Sequence, residues 1–124
     1  MSPASDRAEW LSGLVGKPYK AGAGGPDAYD CYGLATAIEA RLFGVQMPPR
    51  NGPPSIYRGW RRVDAPGDGA LVMMDNGHGR HVGVFLAAER GVIHALENVG
   101  VVFDDLAMLP LRGFALKFWK FSAR

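Results

Sequence analysis

Cysteine, net charge and long apolar runs are all scarce in this sequence, and each scarcity excludes a class of protein. The 124 residues include a single cysteine, Cys31, so no internal disulfide can form and a zinc site would need other ligands. The formal net charge is only +2, too small to indicate a nucleic-acid partner. No stretch approaches the ~20 apolar residues of a transmembrane helix. We therefore expect no disulfide framework, no nucleic-acid partner and no membrane span.

What the chain does contain is typical of one globular domain. It is 48% hydrophobic and 21% charged, and its length is enough to bury a core. No repeat or linker divides it, so we treat residues 1–124 as a single domain. The 17 glycines and 9 prolines predict many turns. The basic cluster of Arg58, Arg61 and Arg62 beside Trp60 is interpreted as a solvated loop.

The first half of the chain has helical signals. A first helix is predicted from about Asp6 to Val15, with a capping box formed by Asp6 and Glu9. A second is predicted from Cys31, capped by Asp30, to about Phe43. Proline-rich residues 47–54 should form no regular element. The predicted apolar faces are Trp10, Leu11, Leu14 and Val15 in the first helix, and Leu34, Ala35, Ile38 and Leu42 in the second.

The second half has short runs of β-forming residues separated by turn residues. The predicted strands are Ala70–Met74, Arg80–Ala87, Gly91–Leu96, Val99–Phe103 and Phe114–Phe121. Helices followed by strands indicate an α+β domain in which an antiparallel sheet packs on the cysteine helix.

Cys31 is a candidate nucleophile because of its place at a helix start. The helix dipole there favours a thiolate, which predicts a lowered thiol pKa, and free backbone N–H groups can bind an oxyanion. Gly33 would keep this turn open to a substrate backbone. The alternative is a buried helical cysteine without chemistry, and Cys31 alone does not decide between the two.

Two histidines strengthen the catalytic interpretation. His81 opens one predicted strand and His94 lies in the next. A hairpin loop of two or four residues near Ala88–Arg90 would place His94 opposite about Gly83, with both imidazoles on one face as diagonal neighbours roughly 7–8 Å apart. An odd loop would separate them. Gly83 would leave space on that face for the rings or for substrate.

The third histidine, His78, lies in the polar turn Asp75–Arg80 and is interpreted as a solvated loop residue. A three-histidine metal site matches no zinc spacing, so no metal site is predicted. The proposed chemistry also needs no cofactor.

Four segments together resemble the NlpC-type (NlpC and p-sixty) papain-like cell-wall peptidases. They are Gly16-Lys-Pro-Tyr19 with Gly25-Pro-Asp-Ala-Tyr-Asp-Cys31-Tyr-Gly-Leu34, then Pro66-Gly-Asp-Gly-Ala-Leu-Val72, His81-Val-Gly-Val-Phe-Leu86 and Val92-Ile-His-Ala95. Their order and spacing match across about Val15 to Phe103.

The resemblance implies a papain-like α+β fold and a cysteine peptidase that cuts amide bonds in peptidoglycan stem peptides, commonly between D-glutamate and a diamino acid. By position, Cys31 would be the nucleophile, His81 the general base and acid, and His94 the orienting residue. Tyr19 matches a tyrosine that helps to hold the oxyanion, or else it is a packing aromatic. Asp30 would shape the turn and cap the helix.

Two departures bear on context and substrate. One is Lys20-Ala-Gly22, which replaces the family's more usual aromatic-Gly-Gly and bears on the substrate subsite. Tyr32 stands where cell-wall members usually have serine, and an aromatic there resembles the branch found in phage tail and gene-transfer-agent proteins. Tail-tip proteins are therefore candidate partners. Tyr32 is predicted to form one wall of the substrate groove, the alternative being packing beneath the glycine loop Ala21–Gly25. Residues 1–10 lack a signal-peptide pattern, so we expect a cytoplasmic or particle-associated protein unless a leader was trimmed.

Two other functions stay open at this level. One is a thiol amidase or acyltransferase that acts on another substrate. The other is a non-catalytic tail-tip structural or binding module that keeps the site as a relic. Retention of all three residues, Cys31, His81 and His94, argues against the relic.

Overall fold

The computed structural model describes residues 3–48, 50 and 59–122. Its six strands form one antiparallel sheet in the order β1-β6-β2-β3-β4-β5. The α+β class predicted from the sequence is confirmed. The elements are α1 (Pro3–Leu14), α2 (Cys31–Phe43), β1 (Trp60–Val63), β2 (Leu71–Asp75), β3 (Arg80–Leu86), β4 (Gly91–Leu96), β5 (Gly100–Asp104), α3 (Met108–Leu111) and β6 (Ala115–Phe121).

The start of α1 differs from the prediction. The helix begins at Pro3, three residues before the predicted cap Asp6, so the capping box with Glu9 is wrong. Proline suits a first turn because its φ is already helical and its missing N–H is not needed there. Asp6 instead lies in the first turn, where the helix dipole still stabilises its carboxylate.

The ends of α2 agree with the prediction. Asp30 has extended backbone geometry, and its side chain accepts a hydrogen bond from the Gly33 N–H at 2.7 Å. This satisfies one of the amides that a helix start leaves unpaired. At the other end Gly44 adopts the left-handed conformation (φ 63°), and its N–H returns to the Ala40 carbonyl. The helix packs on β3 and β4, which brings its first residue beside the strand that carries His81.

Side chains alternate between the two faces of the sheet, and each face has its own apolar cluster. One face packs against the helices α1 and α2, with Leu11, Leu34, Ile38, Leu71, Val84 and Ile93 among its buried members. The other face is smaller and is covered in part by α3, with Val72, Met74, Val92 and Leu109 at its centre. Of the predicted helical faces, Val15 is the exception: it lies beyond the end of α1 and is 48% exposed.

The basic cluster near Trp60 is not a loop. Trp60–Val63 forms β1, an edge strand paired with β6, while Arg58 lies outside the described residues. The Trp60 side chain is buried and meets the Phe121 ring edge-on, with centroids 5.5 Å apart. Arg61 and Arg62 are exposed. Charged residues on an edge strand keep other chains from pairing with it. Because such a strand is short and charged, its sequence resembles that of a solvated loop.

The remaining boundaries lie within one residue of the predictions, and β4 agrees fully. The short helix α3 was not predicted. Of residues 47–54, the described Met47, Pro48 and Arg50 belong to no helix or strand, and the rest fall outside the description. Across the described ranges, no helix has both the length and the apolar character needed to cross a membrane.

Candidate active site

Cys31 is the first residue of α2 and is half-buried in the wall of a cavity of about 310 Å³. The same cavity is lined by the first three residues of β3, Arg80, His81 and Val82. Helix packing on β3 thus places the thiol and the first histidine around one space. The sequence predicted this juxtaposition from the resemblance, and both residues line the cavity.

His81 and His94 are brought together by the β3–β4 hairpin. Leu86 pairs with Gly91, so the connecting loop has four residues, 87–90, and Gly83 pairs with His94. His81 Nε2 lies 2.8 Å from His94 Nδ1, and the ring centroids are 5.1 Å apart at 66°. The predicted even loop and shared face are confirmed. The rings lean toward each other and make a direct hydrogen bond.

His94 continues into a second hydrogen bond that the sequence analysis missed. Its Nε2 lies 2.8 Å from Asp104 Oδ2. Asp104 in turn accepts from Arg112, whose Nε is 3.0 Å from Oδ2 and whose Nη2 is 3.1 Å from Oδ1. The signal was available: Asp104 pairs with Val92 two residues from His94, which is the diagonal relationship used for the histidines. It was lost because the predicted strand ended at Phe103.

Phe114 is a third residue of the site, after Asp104 and Arg112, that the sequence did not predict. Its ring stacks on His81, with centroids 5.6 Å apart and planes inclined by 20°.

The sheet face around Gly83 is more tightly packed than predicted. A Cβ at Gly83 would meet Val92 Cγ1 at 2.7 Å and Met74 Cε at 2.9 Å, so the glycine is required by packing and leaves no room for substrate.

Asp30 organises the loop before the nucleophile, as predicted. Its carboxylate accepts the Gly22 and Gly33 amides, each at 2.7 Å, and pairs with Arg50. Gly33 has a different role from the one predicted. A Cβ there would lie 2.1 Å from the Ala23 carbonyl oxygen, so Gly33 admits the protein's own loop and not a substrate backbone.

The two tyrosines occupy different cavities. Tyr32 lines the Cys31 cavity, and the Arg50 guanidinium lies over its ring at 5.1 Å. Its role as a wall of the substrate groove stays a prediction. Tyr19 lines a second cavity of about 450 Å³ together with Glu97 and its neighbours. Burial is the main cause that raises the pKa of the Tyr19 hydroxyl.

The electrostatics of the resting site differ from the prediction. Burial raises the pKa of the Cys31 thiol above its ordinary value, although backbone N–H groups of Val82 and Tyr32 oppose the rise. The predicted lowering is therefore wrong for the resting state, because desolvation outweighs the helix start. Burial, with a smaller effect of His94, lowers the pKa of His81 to about 4. At neutral pH the site holds a thiol and a neutral imidazole, not an ion pair.

His78 is exposed in the turn after β2, as predicted. Its backbone N–H bonds to Asn76 Oδ1 at 2.9 Å. Within the described part of the chain, no group of three His, Cys, Asp or Glu side chains is arranged to hold a metal ion.

The arrangement can carry out acyl transfer. A thiol faces the same cavity as a neutral imidazole, whose far nitrogen is held by a second, fully buried imidazole. A neutral imidazole can accept the thiol proton during attack, and it can return that proton to a leaving amine.

The comparisons with known proteins agree with this chemistry. The NlpC/P60 family model matches residues 16–112, which include Cys31 and the hydrogen-bonded series from His81 to Arg112. The chain is 33% identical over 97 residues to proteins named "Probable endopeptidase p60" from Listeria welshimeri and Listeria monocytogenes serovar 1/2a. The match covers 74% of this chain but 17% and 19% of those relatives, so the chain spans less than a fifth of their length.

Solved structures are similar in fold. The NlpC/p60 domain of the peptidoglycan hydrolase SagA matches with a TM-score of 0.65 and 20% identity, covering 94% of this chain and 97% of that one. NlpC2 from Trichomonas vaginalis matches with a TM-score of 0.67 and 20% identity, covering 91% of this chain and 46% of that one.

Proposed function

This chain belongs to the NlpC/P60 family, and we propose that it is a cysteine peptidase that hydrolyses amide bonds in peptidoglycan stem peptides, with Cys31 as the nucleophile. One observation carries the proposal: Cys31 and His81 line one cavity, and His81 is hydrogen-bonded to the buried His94 at 2.8 Å. The names of the relatives, endopeptidase and peptidoglycan hydrolase, support the same class of reaction.

In the proposed mechanism, His81 removes the proton from Cys31 as the sulfur attacks a peptide carbonyl carbon. The transfer accompanies attack because neither group is charged at rest. The oxyanion accepts hydrogen bonds from the Cys31 N–H and from the Tyr19 hydroxyl. His81 then protonates the leaving amine as the C–N bond breaks. Water, deprotonated by His81, hydrolyses the thioester and restores the thiol.

The charge of the cavity supports an acidic peptide as substrate. Arg50 and Arg80 both line the space beside Cys31. Arg50 is already paired with Asp30, whereas no acidic side chain of the described residues pairs with Arg80. Guanidinium groups bind carboxylates well, and stem peptides carry free carboxyl groups. We assign Arg80 to the substrate carboxylate and Tyr32 to the facing wall.

The phage-tail context is a finer part of the proposal, and one feature supports it. Tyr32 follows the nucleophile where cell-wall members usually have serine. A tail-tip partner would be tested by co-expressing this chain with tail-tip proteins encoded beside it and measuring co-elution on a sizing column. Elution of the chain alone would reject the partnership and leave the peptidase proposal unaffected.

The activity is tested with defined muropeptides. The parent should release two peptide fragments whose masses sum to the substrate plus one water, and Cys31→Ala should release none. His78→Ala is the matched control, because it removes an exposed imidazole outside the cavity. Free acid as product supports a hydrolase, whereas an acyl group found on an added amine would identify a transferase. No cleavage of any muropeptide by a folded parent would reject the proposal.

A further inference from the structure

We propose that Asp104, Arg112 and Phe114 are positioning residues that fix the tautomer and orientation of the two histidines. This inference rests on the proposed function and extends it beyond Cys31, His81 and His94. The inference is drawn from one continuous series of hydrogen bonds, His81–His94–Asp104–Arg112, and from the Phe114 ring stacked on His81.

The series determines where each proton lies. Arg112 can only donate, so Asp104 accepts from it with both oxygens. An ionised Asp104 can also only accept, so His94 Nε2 must carry a hydrogen and donate it to Oδ2. The neutral His94 ring then has its lone pair at Nδ1, and His81 Nε2 must donate to it. His81 Nδ1 is left with a lone pair, which is the form a general base needs.

Burial makes this assignment strict. His94 is fully buried and Asp104 is 8% exposed, so water has little room to replace a lost partner. Although burial alone would raise it, the pKa of Asp104 is lowered by the hydrogen bonds from Arg112 and His94. The carboxylate therefore stays ionised, and Arg112, which is 43% exposed, balances its charge at the protein surface.

The segment 105–114 positions both Arg112 beside Asp104 and Phe114 against His81. After Asp104 the chain forms α3, whose Leu109 is fully buried in the smaller apolar cluster. This anchor places Arg112 beside Asp104, and it places Phe114, whose N–H bonds to the Leu109 carbonyl at 3.2 Å, against the His81 ring. Stacking restricts rotation of His81, while the hydrogen bonds set which nitrogen faces His94.

Asp104→Asn is the decisive variant because the series predicts a specific fault. If the amide NH₂ replaces Oδ2, it donates toward His94 Nε2, and His94 must then carry its hydrogen on Nδ1. His81 Nε2 would have to accept, and its hydrogen would move to Nδ1, where it cannot take a proton from Cys31. Either amide orientation sets NH₂ against an Arg112 donor, Nε at the Oδ2 position or Nη2 at the Oδ1 position, and the second keeps a carbonyl on His94. Asp104→Leu, which offers His94 no acceptor in any orientation, is therefore measured beside Asp104→Asn.

We expect Asp104→Asn to lower kcat about 10²-fold with KM within about threefold of the parent. The titratable and charged groups around the histidine pair are Cys31 across the shared cavity, Asp104 on β5 and Arg112 after α3. Loss of the carboxylate should therefore also move the acid limb of the kcat/KM profile to lower pH by about one unit. Asp105→Asn, an exposed neighbour, is the matched control and should behave as the parent. Arg112→Gln and Phe114→Leu should each give smaller losses, about tenfold.

Nitrogen-15 NMR of histidine-labelled protein identifies the tautomers without any substrate. This test is therefore independent of the peptidase proposal. The parent should carry hydrogens on His81 Nε2 and His94 Nε2, whereas Asp104→Leu should shift both toward Nδ1 and Asp104→Asn should do so in the molecules whose amide NH₂ faces His94. If Asp104→Asn does not fold, Arg112→Gln is measured in its place. The inference is overturned if the tautomers are unchanged in both Asp104 variants, or if activity falls only as thermal stability falls and the pH profile stays in place.

Discussion

Arg50 and Asp30 form a two-armed ion pair next to the nucleophile. Nη1 lies 2.6 Å from Oδ2 and Nη2 lies 3.0 Å from Oδ1. The same carboxylate accepts the amides of Gly22 in the preceding loop and Gly33 in the first turn of α2. One nearly buried carboxylate thus joins the loop, the helix start and the cavity wall. The position of Cys31 depends on it, and stability and activity should be linked here.

Asp30→Asn should therefore destabilise the protein by about 2 kcal/mol, since an amide cannot accept from all these donors at once. Burial raises the pKa of Asp30, but Arg50, Gly33 and Gly22 lower it further, to below its ordinary value of 3.8. The stability contributed by ionised Asp30 is fully present above pH 3.8, the ordinary pKa, and is lost as pH falls through the lower pKa of the folded state. Urea unfolding at pH 7 and pH 3 measures it. Asp27→Asn, an exposed loop acid, is the control, and equal stability of the two variants would contradict the prediction.

The Cys31 thiol should titrate above its ordinary value in the free protein, because burial raises its pKa. Alkylation by iodoacetamide should still accelerate between pH 8 and pH 10, and it should become slower at pH 8 in Arg50→Gln, because the Arg50 charge favours the thiolate. The same chain unfolded in urea gives the reference titration. A thiol pKa below that of the unfolded chain would restore the ion-pair description of the resting site.

Local patterns predicted most of the site, whereas contacts distant in sequence were missed. The alternation of β3 and β4 across an even loop brings His81 to His94, and both strands are adjacent in the chain. Predicting the role of Asp104 required the exact end of β5, where a polar side chain after an apolar run resembles the start of a turn. Trp60–Val63 could not be recognised, because its partner β6 begins more than fifty residues later and its arginines face solvent. The raised thiol pKa depends on burial, which no sequence pattern gives.

The two histidines should tolerate replacement differently. His81→Ala removes the group that transfers the proton, so activity should fall by about 10³-fold or more. His94→Gln can still accept a hydrogen bond from His81 and should retain more activity than His94→Ala. The measurement is kcat/KM on one muropeptide, with His78→Ala as the control. If His94→Ala is dead and His81→Ala is active, the proposed roles are reversed.

Arg80 should set a preference for substrates with a free carboxyl group. Two muropeptides that differ only in whether one carboxyl is free or amidated isolate this interaction. The parent should favour the free acid by about tenfold in kcat/KM, the value of one charged hydrogen bond. Arg80→Gln should lose the preference by a rise in KM for the acid alone. Arg61→Gln, on the exposed edge strand, is the control. An unchanged ratio in Arg80→Gln would remove Arg80 from the binding site.

Glu39 predicts an unusual dependence of stability on pH. Its side chain is 1% exposed, and Oε2 has no hydrogen-bond partner among the described residues. Burial, partly offset by Lys120, raises its pKa to about 8. The folded protein therefore holds a proton that the unfolded chain releases near its ordinary value of 4.5. Between these two values the unfolded state binds fewer protons, so the free energy of unfolding decreases as pH rises.

The comparison with Glu39→Gln isolates this effect, because glutamine does not titrate and every other group is shared. From pH 5 to pH 8 the parent should lose about 4 kcal/mol of stability relative to Glu39→Gln, since each pH unit in this window costs about 1.4 kcal/mol. Urea unfolding across this range gives both curves, and Glu9→Gln, at an exposed site on α1, should run parallel to the parent. Parallel curves for the parent and Glu39→Gln would mean that Glu39 is ionised in the folded protein, which would require a counter-charge or water within its pocket.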